Sequence, residues 1–363
     1  MKSFFNLFLI IFTLLIACST PSKKEESNEI KEEKIPIKVV VISMFELGED
    51  ESDNPGEFQY WVERIPLTEK ISFPVGDRNL RLNREKGILG ICTGIGSINS
   101  AASIMALGLD ERFDLSNAYF IVAGISGIDP EDASTGSAVW AEWLVDGDLS
   151  HEIDGREIPE NWTTGYIPLR KKKPYEKPIP ENNEGASFQL DPNLVEWAYQ
   201  LTKGIKLIDN EEITKMRNQF KSFPNAQKPP HVLKGDHLAA MTYWHGELMN
   251  NWANDWVKYW SGGKGNFVTS AMEDTGTMSS LLALDKAGKV NSKRFLVLRT
   301  ASNFTMQHEG ITASQSLGGE NLEGGGYSAY IPSLEAAWLV GSKVVFNITD
   351  NWSSFKNGYH PNP

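Results

Sequence analysis

The chain has 363 residues, a formal net charge of −12 and 40% hydrophobic residues, which is enough apolar material for one large domain or two small ones. The acidic balance argues against nonspecific nucleic-acid binding, because that binding depends on cations that neutralise phosphates. No disulfide is expected between the two cysteines, since Cys18 belongs to a leader and Cys92 lies in an apolar run.

The first 18 residues predict an export signal. Lys2 precedes an almost wholly apolar run from Phe4 to Ala17, which is the arrangement of a signal peptide. The run ends in Leu-Ile-Ala-Cys18 and resembles a lipobox, which implies cleavage before Cys18 and a lipid anchor on its thiol. The alternatives are an ordinary signal peptide or an uncleaved anchor. We therefore expect an extracytoplasmic lipoprotein, held at a membrane in the periplasm or at the cell surface.

Residues 19–36 carry runs of Lys and Glu without apolar periodicity. Such a segment buries too little surface to fold, so it predicts a flexible charged tether. Beyond residue 18, no stretch approaches the ~20 apolar residues that span a bilayer. The chain itself is therefore not expected to form a transmembrane pore.

The remaining sequence alternates apolar β-branched runs with helical segments. Predicted strands cover residues 37–44, 87–91, 118–123, 136–143, 266–270 and 294–299, predicted helices cover 98–109, 192–204 and 238–260, and 336–348 is a helix or a strand. Residues 150–190 are rich in proline and predict an irregular insertion. This order predicts one α/β domain over residues 37–363, with a mainly parallel mixed sheet flanked by helices.

Ligands of open α/β sheets bind in the loops that follow the strands, and the loop after strand 87–91 is rich in glycine. Gly94 and Gly96 in this loop precede a helix, so free N–H groups there favour an anion or a polar sugar. The loop lacks the third glycine of a dinucleotide fingerprint and any Gly-Lys-Ser/Thr. Neither nicotinamide nor nucleoside triphosphate binding is therefore favoured.

Three further strand ends carry candidate ligand groups. Ser126 and Gly127 are small enough for a flat ring to lie against the backbone. Met272 and Glu273 could contact the apolar and hydroxylated faces of a ribose; the alternative is a surface acidic turn with a core methionine. Asn303 follows strand 294–299, where its carboxamide could hydrogen-bond a purine edge.

The six histidines show no metal-binding spacing, so we expect no metal and no other cofactor. His237 and His245 lie near Tyr243 and Trp244. They either line the purine pocket or serve as core and helix-face groups.

The order of these strand ends resembles the nucleoside phosphorylase and nucleosidase superfamily. Within it, Met-Phe-Glu46, Gly-Asp-His237 and Ala-Met-Glu-Asp-Thr-Gly276 resemble the purine nucleoside permease family, and the resemblance runs from Ile37 to the C-terminus. It implies a three-layer α/β sandwich, a purine nucleoside as ligand and a role in nucleoside uptake, which would need a separate membrane channel. The superfamily also implies two further expectations: cleavage of the N-glycosidic bond by a nucleosidase or phosphorylase, and a homo-oligomer.

The resemblance also implies roles for individual residues. Glu273 would bind the ribose hydroxyls, with Met272 against the sugar. Asn303 would meet purine N7, where nucleosidases place a general-acid aspartate. A carboxamide donates a hydrogen bond but no proton, so inosine or guanosine is expected ahead of adenosine. If catalysis occurs, Glu46 is expected to activate a water, because the acidic loop around it repels phosphate.

Overall fold

The computed structural model describes residues 33–179, 185–320 and 326–358. The predicted signal peptide with Cys18, and most of the predicted tether, therefore lie outside the described residues. The predicted end of the tether is wrong, because Ile35–Pro36 form a short strand that pairs in parallel with Phe113–Asp114. Contacts group Lys34–Pro363 as one unit.

The described residues contain sixteen strands and nine α-helices. The strands are β1 Ile35–Pro36, β2 Val39–Ser43, β3 Glu69–Ile71, β4 Leu80–Asn83, β5 Ile88–Cys92, β6 Phe113–Asp114, β7 Tyr119–Ile128, β8 Ala138–Trp140, β9 Trp143–Asp146, β10 Ser150–Glu152, β11 Tyr166–Pro168, β12 Ser187–Gln189, β13 Val232–Lys234, β14 Asp236–Ala239, β15 Phe267–Ala271 and β16 Phe295–Phe304. The helices are α1 Gln59–Arg64, α2 Ser97–Leu109, α3 Pro192–Thr202, α4 Glu211–Arg217, α5 Glu247–Trp260, α6 Asp274–Lys286, α7 Ala313–Glu320, α8 Tyr330–Asp350 and α9 Trp352–Phe355.

The central strands are buried on both faces. β2 reads Val-Val-Val-Ile-Ser and β5 reads Ile-Leu-Gly-Ile-Cys, and every residue of both is buried. Continuous apolar runs of this kind are typical of parallel strands that helices cover on both sides. β2 pairs in parallel with β5 and with β7, so the carboxyl ends of these strands meet at one edge.

The main sheet is mixed and mainly parallel. Its strands run in the order β12-β9-β14-β15-β7-β2-β5-β4-β3, and β16 pairs with β7 and with β8, which also pairs with β13. Helix α8 packs on β7 and β16, and α1 and α3 pack on α8, whereas α2 packs on α6 and α5 packs on β14 and β15. The predicted fold class, a sheet between helices in a three-layer sandwich, is confirmed.

Two predicted boundaries near the candidate site are wrong. The strand expected to close at Gly124 continues to Ile128, because β16 pairs with it in parallel along this length. The helix predicted over residues 238–260 begins only at Glu247, because Asp236–Ala239 form a strand that pairs with β9 and β15. Tertiary pairing overrides local propensity at both places.

The described residues of the insertion, 150–179 and 185–190, contain three short strands and otherwise irregular backbone. Cys92 is a buried residue packed against Phe58 and Val62. In the part of the chain that the structure describes, no helix combines the length and the apolar character needed to cross a bilayer.

Candidate functional site

A cavity of about 760 Å³ lies at the ends of β2, β7, β15 and β16, under the loops that follow them. Its volume lies in the usual range of small-molecule sites. Five residues expected at the site from the sequence line this cavity: Ser126, Gly127, Met272, Glu273 and Asn303. The strand ends therefore bring these residues together, although the chain separates them widely.

A buried ion cluster lies behind the cavity wall. Arg299 on β16 is 1% exposed, and its Nη2 donates to Glu273 Oε2 at 2.9 Å and to Asp274 Oδ2 at 2.6 Å. Asp274 and His237 are both fully buried, and His237 Nε2 lies 2.9 Å from Asp274 Oδ2. His237 Nδ1 is also 3.0 Å from the hydroxyl of Thr269. His237 therefore belongs to the core cluster and does not line the cavity.

Mutual neutralisation keeps Asp274 and Arg299 ionised. Burial alone would raise the pKa of Asp274, but Arg299 and His237 hold that pKa well below its ordinary value. Burial alone would lower the pKa of Arg299, but Asp274 and Glu273 raise it. Both groups are thus charged at any physiological pH, and removing one would leave the others as uncompensated buried charges.

The glycine-rich turn before α2 serves this cluster. Gly94 and Gly96 have φ of +84° and +91°, a backbone conformation that favours glycine. The Gly96 N–H donates to Glu273 Oε1 at 3.0 Å. Neither glycine lines the cavity, although Ile95 between them does. The anion that the sequence predicts at this helix N-terminus is therefore the chain's own carboxylate.

Glu46 does not line the cavity, because its carboxylate is occupied by backbone N–H groups. Its Oε2 accepts from Phe58 at 2.8 Å and from Gln59 at 2.5 Å, where helix α1 begins. Its Oε1 accepts from Leu47 at 2.8 Å and from Gly56. Burial raises the pKa of Glu46, and these hydrogen bonds oppose the rise. The residue organises the acidic loop and presents no free oxygen to a ligand water.

Glu57, which the sequence did not single out, is the acidic-loop carboxyl that lines the cavity. It accepts from the Met44 N–H at 2.8 Å and from the Ile125 N–H at 2.7 Å. Burial raises its pKa to about 8, with Arg299 lowering it and Glu273 raising it further. Its position at the cavity is evident only from the fold, because the loop that contains it has no recognisable sequence motif.

A polar cluster from three segments forms another part of the cavity wall. Asn303 Nδ2 donates to the Tyr243 hydroxyl at 2.9 Å and lies 3.4 Å from Glu320 Oε1. The Tyr243 hydroxyl donates to Glu320 Oε2 at 2.8 Å. Burial raises the pKa of Glu320 to about 7, while the hydrogen bonds from Tyr243 and Asn303 lower it. Asn303 is expected from the sequence, whereas Glu320, the last residue of helix α7, carries no such signal.

The cavity lining carries acidic groups and no compensating cation of its own. Among the described residues that line it, Glu57, Glu273 and Glu320 are acidic and none is Lys or Arg. The remaining lining is largely apolar and aromatic, with Phe45 and Tyr330 among its members. Such a site suits a neutral, flat and hydroxylated molecule better than an anion.

Metal ligation finds no support in the described residues, where no group of three His, Cys, Asp or Glu side chains has suitable geometry.

His245 lies beside the polar cluster, with Nδ1 3.7 Å from Glu320 Oε1. Its Nε2 lies 3.0 Å from the Ser316 hydroxyl. Burial lowers the pKa of His245 to about 4, so it is neutral near pH 7.

The chain is similar to known proteins over most of its length. A family model described as purine nucleoside permease (NUP) matches residues 36–360. The chain is 27% identical over 328 residues to a protein of Schizosaccharomyces pombe named a probable purine nucleoside permease, covering 87% of this chain and 90% of that one. It is 28% identical over 329 residues to a purine nucleoside permease of Candida albicans, covering 88% and 77%.

A solved structure gives the same fold. The native structure of futalosine hydrolase from Helicobacter pylori superposes with a TM-score of 0.50, covering 86% of this chain and 98% of that one. The identity is 13%, so the likeness concerns the fold alone. It agrees with the three-layer α/β architecture described above.

Replacing Arg299 by Gln should destabilise the protein strongly. The change leaves Asp274 and Glu273 as buried carboxylates without their cation, and breaking a buried pair in this way costs roughly 3–5 kcal/mol. Urea unfolding followed by tryptophan fluorescence measures the difference. Arg84→Gln, which breaks an exposed pair with Glu69, is the control and should leave the unfolding midpoint unchanged. Equal midpoints for both variants would show that the buried cluster is not essential.

Proposed function

The chain belongs to the purine nucleoside permease family, and from this premise we propose that its cavity binds a purine nucleoside outside the cytoplasm and serves nucleoside uptake. The observation that supports the proposal most is the common cavity of Glu273 and Asn303. These residues carry the two functions that nucleoside binding requires, a carboxylate for the sugar hydroxyls and an amide for the base edge.

Glu273 is held in place to accept a sugar hydroxyl. A carboxylate offers about four acceptor positions. Gly96 N–H occupies one, at Oε1, and Arg299 and the Met272 N–H share Oε2. The remaining position, on Oε1, is available to a ribose hydroxyl, and Met272 beside it can pack against the sugar.

The base belongs at the other side of the cavity, against Asn303. Ser302 donates to Asn303 Oδ1 at 2.9 Å, which turns the Nδ2 donor towards the cavity cluster. An Nδ2 donor suits purine N7, which is an acceptor in every purine. Ser126 and Gly127 also line the cavity, and their small size leaves room for a flat ring.

The location is part of the proposal and rests on the sequence. Lipidation at Cys18 would hold the binding domain at a membrane through the charged segment 19–36. In this arrangement the domain captures nucleosides, and a separate channel or permease moves them across the membrane. A homo-oligomer is a further expectation from the superfamily.

Glu57 favours a second candidate function, the hydrolysis of the bound nucleoside. Its carboxyl lines the cavity and lies close enough to Arg299 and Glu273 for their charges to act on it. When ionised, it could take a proton from water as the water oxygen bonds to C1′. The C1′–N9 bond would break, and its electron pair would go to the base. The acidic lining supports water over phosphate as the nucleophile.

Glu273→Gln should weaken inosine binding about ten- to a hundredfold. The change removes a charge-assisted hydrogen bond, worth about 1.5–3 kcal/mol, while keeping the side-chain volume. Calorimetric titration of the full chain with inosine measures the effect. Glu111→Gln, at an exposed residue, is the matched control and should bind as the unchanged protein does. Unchanged affinity in Glu273→Gln would refute the ribose assignment.

If the chain hydrolyses nucleosides, the purified chain should release hypoxanthine from inosine without phosphate. Added phosphate should not raise the rate of release. Glu57→Gln should abolish release and retain inosine binding, because the amide cannot accept the water proton. Chromatography of free hypoxanthine follows the reaction. Release that depends on phosphate would support a phosphorylase, and binding without any release would leave the uptake role alone.

Cys18→Ser should move the protein from the membrane pellet to the soluble fraction after cell fractionation, because the substitution removes the thiol that the lipid would modify. Immunoblotting of both fractions is the measurement. Retention of the variant in the pellet would contradict the lipid anchor.

A further inference from the structure

Helix α7 places one carboxyl group in the part of the cavity where the proposed base would meet Asn303, which we call the base end. None of the described side chains of this helix is buried, yet its last residue, Glu320, has a side chain only 12% exposed. Glu320 lines the cavity together with Asn303 and Tyr243. Its carboxyl therefore lies where the edge of a base would meet Asn303.

Asn303 and Glu320 offer different hydrogen-bonding options. Asn303 Oδ1 accepts a hydrogen bond from Ser302. Its Nδ2 is the donor group and lies within hydrogen-bonding distance of Tyr243, Phe304 and Glu320. Its two amide protons already serve three acceptors, so a ligand acceptor would replace the longest of these contacts, the one to Glu320 at 3.4 Å. Glu320 accepts hydrogen bonds when ionised and donates one when protonated. Asn303 and Glu320 thus offer one donor and one acceptor when Glu320 is ionised, and two donors when Glu320 is protonated.

The two classes of purine differ on the edge that carries N7. A 6-oxopurine presents two acceptors there, N7 and O6, whereas a 6-aminopurine presents the N7 acceptor and the amino donor. With N7 on Asn303 Nδ2, the group at C6 would meet the Glu320 carboxyl. Protonated Glu320 matches a 6-oxo group, and ionised Glu320 matches a 6-amino group.

We propose that Glu320 is the specificity-determining residue of this pocket, and that its protonation selects between 6-oxo and 6-amino purine nucleosides. The inference rests on the proposed function, because it requires a purine nucleoside with N7 at Asn303. The carboxyl of Glu320 then sets the base preference, because Asn303 Nδ2 meets N7, which is an acceptor in every purine.

The surroundings of Glu320 place its titration in the physiological range. Burial raises its pKa to about 7, against the hydrogen bonds from Tyr243 and Asn303. Below that pH the carboxyl is protonated and favours inosine; above it the carboxylate favours adenosine. Among the described residues, the other titratable groups that face it are Tyr243, Tyr327 beside that hydroxyl, His245 and, across a smaller adjoining cavity of about 200 Å³, His308.

Two of these neighbours do not change their charge in this range. His245 has a pKa of about 4 and stays neutral, and burial raises the pKa of the Tyr243 phenol above its ordinary value. Glu57, whose pKa is about 8, titrates in the same cavity. It lies with Glu273 at the sugar end, so it affects adenosine and inosine alike and cancels in the ratio of their affinities.

The test is the ratio of adenosine affinity to inosine affinity, measured by calorimetry on the full chain one pH unit below and one above the Glu320 pKa of about 7. The ratio should rise by about tenfold or more with pH, the size expected when one mismatched buried hydrogen bond becomes matched. Glu320→Gln should give a ratio that does not change with pH, because an amide does not titrate in this range.

Tyr243→Phe provides an independent variant. It removes a hydrogen bond that stabilises the ionised carboxylate, so the midpoint of the pH change should move upward. A pH change that persists in Glu320→Gln, or a flat ratio in the unchanged protein, would overturn the assignment of Glu320. If the unchanged protein binds neither adenosine nor inosine at either pH, the proposed function itself is overturned. If it binds both tightly but the affinity ratio does not change with pH, only this inference is overturned.

Discussion

Arg299 is a cation inside the protein, and the site is arranged around the need to compensate its charge. Asp274 and Glu273 supply two carboxylates, and His237 Nε2 lies against the same Asp274 oxygen that Arg299 contacts. An unpaired charge in this position would cost several kcal/mol. The pairing therefore fixes Glu273 at the cavity wall, so that the proposed contact with a sugar would need little reorganisation. It also consumes the positive charge of Arg299, which leaves the cavity suited to a neutral ligand.

The two ends of the cavity differ in how they are held. The sugar end lies on the central sheet, where β7 and β16 pair in parallel over nearly their whole length. Close packing supports it: a Cβ on Gly276 in α6 would collide with the backbone oxygen of Ser97 in α2. The base end is different, because α7 contributes Glu320 without burying any described side chain. In the proposed binding mode, the rigid end would hold one ribose and the polar, titratable end would distinguish several bases.

The sequence predicts the sheet and part of the site because both depend on local patterns. Apolar runs mark the buried strands, and the residues that follow them, such as Glu273 and Asn303, share an edge for topological reasons. Glu57 and Glu320 belong to segments without such a pattern, and only tertiary contacts bring them to the cavity. Glu46 shows the converse, because its place after the first strand indicates a ligand group, whereas backbone N–H groups occupy its carboxylate.

The central claim is that one nucleoside spans the cavity from Glu273 to Asn303. A crystal structure of the chain with inosine tests it most directly. The account predicts the ribose hydroxyls within hydrogen-bonding distance of Glu273 and purine N7 within that distance of Asn303 Nδ2. A nucleoside bound in the reverse orientation, or bound anywhere outside this cavity, would contradict it.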